Sequence, residues 1–124
     1  EVEIIDIETP GYKEIDPEEL ISMQKKGLIV IDIRTEEERG KTGVISDSYL
    51  LTAFDSQGNL DPNFIIKFQS IATNEDYVVF VSEQGEISSI LANGFVERLG
   101  RRNVYSLKGG IHEWMSQGNN IIQN

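Results

Sequence analysis

Tyr77-Val78-Val79-Phe80-Val81-Ser82-Glu83-Gln84-Gly85-Glu86-Ile87-Ser88 is the stretch on which the fold turns. Its first five residues form an uninterrupted β-branched and aromatic run, which suits a strand buried on both faces of a parallel sheet. Ser82 to Gly85 is a tight polar connection, and Ile87, Ile90, Leu91, Phe95 and Leu99 then follow at helical spacing until Gly100. A buried strand that passes through a short loop into an amphipathic helix is one half of a parallel β-α-β unit. In such sheets ligand sites lie beyond the carboxyl ends of the strands, so the loop from Ser82 to Ser88 is the candidate site.

The alternation extends in both directions. Upstream, Tyr12 to Ile15 reads as a short strand. Asp16-Pro17-Glu18-Glu19 combines an N-cap acid, proline at the first helical position and an acid three residues after the cap, predicting a helix to about Lys26 that closes at Gly27. Leu28 to Ile33 is a second buried strand, and Thr35-Glu36-Glu37-Glu38 is a capping box, which explains three adjacent glutamates better than catalysis does. Tyr49 to Leu51 suits a short strand and Asp55 to Asn59 a surface turn, while Asp61-Pro62 repeats the helix start ahead of Phe64, Ile65, Phe68 and Ile71. Downstream, Val104 to Leu107 is a last strand, and Gly109-Gly110 opens a helix whose Ile111, Trp114 and Met115 are expected in the core. The pattern predicts an α/β domain over residues 12–124, with a central, mostly parallel sheet of about five strands and helices on both faces. Residues 1–11 form an acidic arm whose Val2, Ile4, Ile5 and Ile7 suit pairing with a sheet edge.

Composition narrows the function. Of 124 residues 39% are hydrophobic and 26% charged, and 21 acids against 11 bases give a net charge of −10. That field repels phosphate backbones and anionic headgroups, so nucleic acid and membrane surfaces are poor partners, and the apolar runs are far shorter than the ~20 residues that span a bilayer. There is no cysteine, which removes disulfides, thiolate metal sites and cysteine nucleophiles together. No calcium-loop pattern or histidine pair occurs, His112 being the only histidine, so neither a metal nor a cofactor is expected. An acidic, cysteine-free chain that begins at Glu1 without an initiator methionine is expected to come from an exported protein, with the cytoplasm as the alternative.

Two stretches carry a family resemblance. Ile31-Asp32-Ile33-Arg34-Thr35-Glu36-Glu37-Glu38 with Thr42-Gly43-Val44-Ile45 resembles the first rhodanese signature, a strand end before a capped helix and a glycine turn. Asn103-Val104-Tyr105-Ser106-Leu107-Lys108-Gly109-Gly110-Ile111 with Trp114 is similar to the family's closing strand, Gly-Gly turn and tryptophan-bearing helix. Together with the strand Val78 to Val81, the resemblance spans about Tyr12 to Gln117 and implies a rhodanese-like fold.

The resemblance also implies that the loop Cys-x-x-Gly-x-Arg-Ser/Thr is replaced here by Ser82-Glu83-Gln84-Gly85-Glu86-Ile87-Ser88, with Asp32 and Arg34 on the pocket rim. The family's cysteine becomes Ser82 and its arginine Ile87. A thiol near pKa ~8.5 can be ionised by a helix N-terminus and converging amides, whereas a serine hydroxyl needs an adjacent general base. Glu83 and Glu86 further oppose anionic substrates: two unit charges ~4 Å apart interact by about 4 kcal/mol at moderate dielectric, against roughly 0.3–1 from a helix terminus. Only Arg34, Arg101 or Arg102 could offset them. Arg34 is expected to bridge Asp32, and His112 to lie on the surface. The expectation is a catalytically inactive domain with a binding or regulatory role, its partner a protein or small ligand. The alternative is an active thiosulfate-type sulfurtransferase whose cysteine was changed to Ser82 by engineering, which the accompanying Glu83, Glu86 and Ile87 disfavour.

Overall fold

The computed structural model describes residues 12–123, so the arm expected over residues 1–11 lies outside the described residues. The elements alternate along the chain: β1 (Lys13–Ile15), α1 (Pro17–Gln24), β2 (Ile29–Asp32), α2 (Glu36–Thr42), β3 (Tyr49–Leu50), α3 (Phe64–Gln69), β4 (Val78–Val81), α4 (Glu86–Leu99), β5 (Val104–Leu107) and α5 (Gly110–Ser116). The five strands form one sheet in the order β1-β5-β4-β2-β3. Every pairing is parallel, with Val79 opposite Val30 on one side and Tyr105 on the other. β4 is therefore central, which is why all four of its side chains are buried.

Period-two alternation along the strands divides the core into two layers. On one face Ile31, Val78, Phe80 and Val104 meet Phe64 and Phe68 of α3 and Leu91, Ala92 and Phe95 of α4. The rings of Phe68 and Phe95 meet edge to face at 4.9 Å between centroids, a favoured arrangement for aromatic pairs. On the other face Val30, Val79, Val81 and Leu107 meet Leu20 of α1 and Ile111 and Trp114 of α5.

Local chemistry sets the helix starts. At α1 the Glu19 N–H donates to Asp16 and the Asp16 N–H to Glu19, and Thr35 with Glu38 forms the same reciprocal pair at α2. The start expected at Asp61-Pro62 is displaced: α3 begins at Phe64, because Asp61 accepts from the Asn63 and Phe64 amides and makes a preceding turn instead. Met115, expected in the core, is 36% exposed on the outer side of α5. Ile87, Ile90 and Leu99 are exposed too; of the stripe read on α4, only Leu91 and Phe95 enter the core. Among the described residues no helix is long and apolar enough to cross a membrane, and no cluster of three potential ligands could hold a metal ion.

Candidate functional site

Because the sheet is parallel, β2, β4 and β5 all end on the same side, and the loops leaving them converge there. The loop Ser82 to Gly85 connects β4 to α4 and is held from above by α5. The Ile111 N–H donates to the Ser82 carbonyl (2.9 Å) and the His112 N–H to the Glu83 carbonyl (3.1 Å). The first-turn amides of α5, which have no partner within their own helix, are thus satisfied by the loop. The close approach requires Gly110: with φ +62°, a Cβ there would lie 2.5 Å from both carbonyl oxygens. Gly85, at φ +97°, makes the left-handed turn into α4 and is pressed against the Gly109 amide.

Ser82 is 4% exposed and its hydroxyl faces inward. Its Oγ accepts from the Gly85 N–H (3.1 Å) and from the Ser88 N–H (3.3 Å) in the first turn of α4, and its proton goes to Ser88 Oγ (2.9 Å). Gly85 at the N-cap position of α4 has no side chain to cap with, so the Ser82 hydroxyl does that work from three residues upstream. The chain of hydroxyls continues from Ser88 to Ser106 on β5 (2.7 Å), which Ser89 also contacts (3.1 Å), and ends on the Gly85 carbonyl. Ser106 and Ser89 were not singled out from the sequence; a serine within an apolar strand, as at Ser106, was the available signal. Among the described residues neither a histidine nor a carboxylate hydrogen-bonds to Ser82. The only histidine points its Nε2 to Glu83 Oε2 (3.2 Å).

Arg34 organises the opposite wall. It leaves the end of β2 and pairs with Asp32 at 2.8 Å, both side chains 1% exposed. Its five N–H groups find five acceptors: Asp32 Oδ1, Asp32 Oδ2, the Gly43 carbonyl, Thr42 Oγ1 and Glu83 Oε1. Burial by itself would lower the Arg34 pKa, but hydrogen bonds to Asp32 and Glu83 and the charge of both outweigh it and hold the guanidinium above its ordinary value. Its charge is permanent and its donors are committed. Glu83, half-buried, bridges Arg34 (2.8 Å) and His112. Glu86 and Gln84 are exposed, and Ser88 is fully buried.

Of the two residues assigned to the rim, Arg34 lines the hollow, whereas Asp32 stands behind it as its counter-charge. Arg101 lies at the far end of the sheet, where it donates to the carbonyls of Thr73 and Asp76 and sits over the Phe68 ring. The open hollow beside Ser82 has a volume of about 590 Å³. Its walls include Ile87 and Ile90 of α4, Phe54, and the acids Glu37, Asp55 and Glu83.

A parallel sheet in this order, a strand-loop-helix cradle and a closing Gly-Gly helix define the rhodanese class. The family profile described as Rhodanese-like domain matches residues 16–117, and the chain belongs to that family. The thiosulfate sulfurtransferase GlpE of Pseudomonas fluorescens is 30% identical over 105 residues, covering 85% of this chain and 86% of that protein. The enzyme of the same name from Pseudomonas paraeruginosa is 28% identical with the same coverage. Among solved structures, a rhodanese-related protein from Thermoplasma volcanium matches with a TM-score of 0.70 at 21% identity, covering 91% of this chain and 100% of that one. Rv0390 from M. tuberculosis matches with a TM-score of 0.74 at 19% identity, covering 91% and 99%. The two structural likenesses establish the fold.

Proposed function

We propose that this rhodanese-like domain does not transfer sulfur and uses the hollow over its loop Ser82 to Ser88 to bind a partner. The observation that carries the reading is the state of Ser82: an oxygen where sulfur-transfer chemistry needs a thiolate, engaged as the cap of α4 with no base bonded to it among the described residues. Arg34 supports it, because a guanidinium whose five donors already have protein acceptors offers nothing to an anionic sulfur donor such as thiosulfate. Glu83, on the wall of the hollow, adds negative charge where such a donor would enter.

The test is thiocyanate formation from thiosulfate and cyanide by the purified protein. Turnover at the rate of a protein-free blank is expected, and turnover well above it overturns the proposal. Ser82→Cys then reports on the loop: activity gained at once means that only the nucleophile is missing, and continued silence assigns the loss to Glu83, Glu86 and Ile87 as well.

A working sulfurtransferase is the second reading, favoured by the 30% identity to a thiosulfate sulfurtransferase over most of both chains. It requires a cysteine codon at position 82 of the natural gene, which sequencing decides.

A further inference from the structure

Ile87 and Ile90, read from the sequence as part of a buried stripe, are instead 49% and 68% exposed and stand one turn apart on α4, beside the hollow they help to line. Phe54 faces the same space from the segment after β3. Isolated apolar residues on a surface need no explanation, but three grouped around one concavity form a contact surface. The rim around them is acidic. Glu37 and Glu38 come from the first turn of α2, Asp55 from the turn that follows, and Glu83 from the loop. Among the described residues the one cation lining the hollow is Arg34, whose charge is balanced from behind by Asp32.

Apolar walls under a negative rim select their occupant by charge. From this we infer that the hollow receives a basic segment of a partner protein, in which an aliphatic or aromatic side chain is flanked by lysine or arginine. The inference rests on the binding reading above and names the partner's chemistry. The volume of about 590 Å³ falls within the roughly 300–1,000 Å³ of ordinary ligand pockets. One apolar side chain fits between Ile87, Ile90 and Phe54, while the methylene stems of neighbouring lysines lie along the isoleucines and their ammonium groups meet Glu37 and Asp55. The same charge argument disfavours two other occupants. Residues 1–11 carry Glu1, Glu3, Asp6 and Glu8 without a base, and a second copy of the chain brings a net charge of −10.

Amide chemical shifts of the full chain, titrated with two synthetic peptides that present leucine between lysines or between glutamates, test this. The lysine peptide is expected to shift the amides of Glu37, Asp55, Ile87 and Ile90, and the glutamate peptide to leave them in place. Raising salt from about 0.1 to 1 M shortens the screening length from about 10 to 3 Å and is expected to weaken binding several-fold. Glu37→Gln should weaken it about two- to fivefold, the range of one surface charge pair. Ile90→Asn should weaken it more than Glu37→Gln does, and because Ile90 is exposed an unchanged spectrum of the free variant shows the fold intact. Equal binding of the glutamate peptide, shifts confined to another face, or no shift at all overturns the inference. So does movement of the same amides on concentrating the protein alone, which would assign the hollow to a second copy. Thiocyanate formation measured on the same preparation separates the two claims: no peptide binding with no turnover removes only the basic occupant, whereas turnover removes the silent reading itself.

Discussion

Replacing Arg34 by methionine removes the charge around which the site's far wall is built. The guanidinium donates to both oxygens of Asp32, to Thr42, to the Gly43 carbonyl and to Glu83. Methionine fills similar length without a donor, so among the described residues the Asp32 carboxylate, 1% exposed, keeps only the backbone N–H of residue 34 as a partner. Removing one member of a buried ion pair costs about 3–5 kcal/mol, because the remaining charge stays desolvated. For a domain of this length that is a fall in Tm of roughly 10–25 °C. Urea and thermal unfolding at neutral pH read it directly. The double variant Asp32→Leu/Arg34→Met should recover most of the loss, since an apolar pair in place of a buried ion pair is often neutral or better. A single-variant loss under about 1 kcal/mol, well below the range for a broken buried pair, refutes the reasoning. So does a double variant no more stable than the worse single.

Two further outcomes follow from local geometry. Gly110→Ala places a Cβ 2.5 Å from the Ser82 and Glu83 carbonyls at a positive φ, and should cost at least about 2 kcal/mol in urea unfolding, the backbone strain alone accounting for 1–2. No loss, as expected of Gly94→Ala inside α4 where an added Cβ meets nothing within 4 Å, would contradict the packing described. The backbone amide of Asn59 holds the Asp55 carboxyl below its ordinary range, and the amide of Asn63, with Lys67, does the same for Asp61. A depressed carboxyl contributes stability that is present above the unfolded value of ~3.9 and is lost as pH falls through the folded one. Asp55→Asn with Asp61→Asn should therefore flatten the acid side of a Tm-against-pH curve, and a variant curve parallel to the parent's would show the two groups to be uninvolved.

What could be read from the chain before folding was whatever its local chemistry decides. The run Val78 to Val81 reads as a central strand because it is short, rich in β-branched and aromatic residues and followed by a polar turn, and the structure puts it between β2 and β5. The reciprocal caps at Asp16 and Thr35 are contacts across three residues, so they are visible in the order of the side chains. The site was legible as a place and less so as a geometry. That Glu83 turns inward depends on Arg34, 49 positions away, and on His112, 29 positions away, both brought near only by the sheet order. Ser106 joins the hydroxyl chain because β5 lies beside β4, which spacing alone does not reveal. Ile87 and Ile90 keep helical periodicity yet remain exposed, because the side of α4 that meets the core carries Ser88, Leu91, Ala92 and Phe95, and the two isoleucines lie off it. Periodicity reports which residues share a side of a helix, and tertiary packing decides whether that side is covered.

The most direct test is the intact mass of the protein with its natural residue 82 after incubation with thiosulfate and removal of excess reagent. A hydroxyl that caps a helix acquires nothing, so the mass is predicted to stay unchanged while a Ser82→Cys variant is followed alongside. A gain of one sulfur atom mapped to residue 82 of the natural chain would contradict the account.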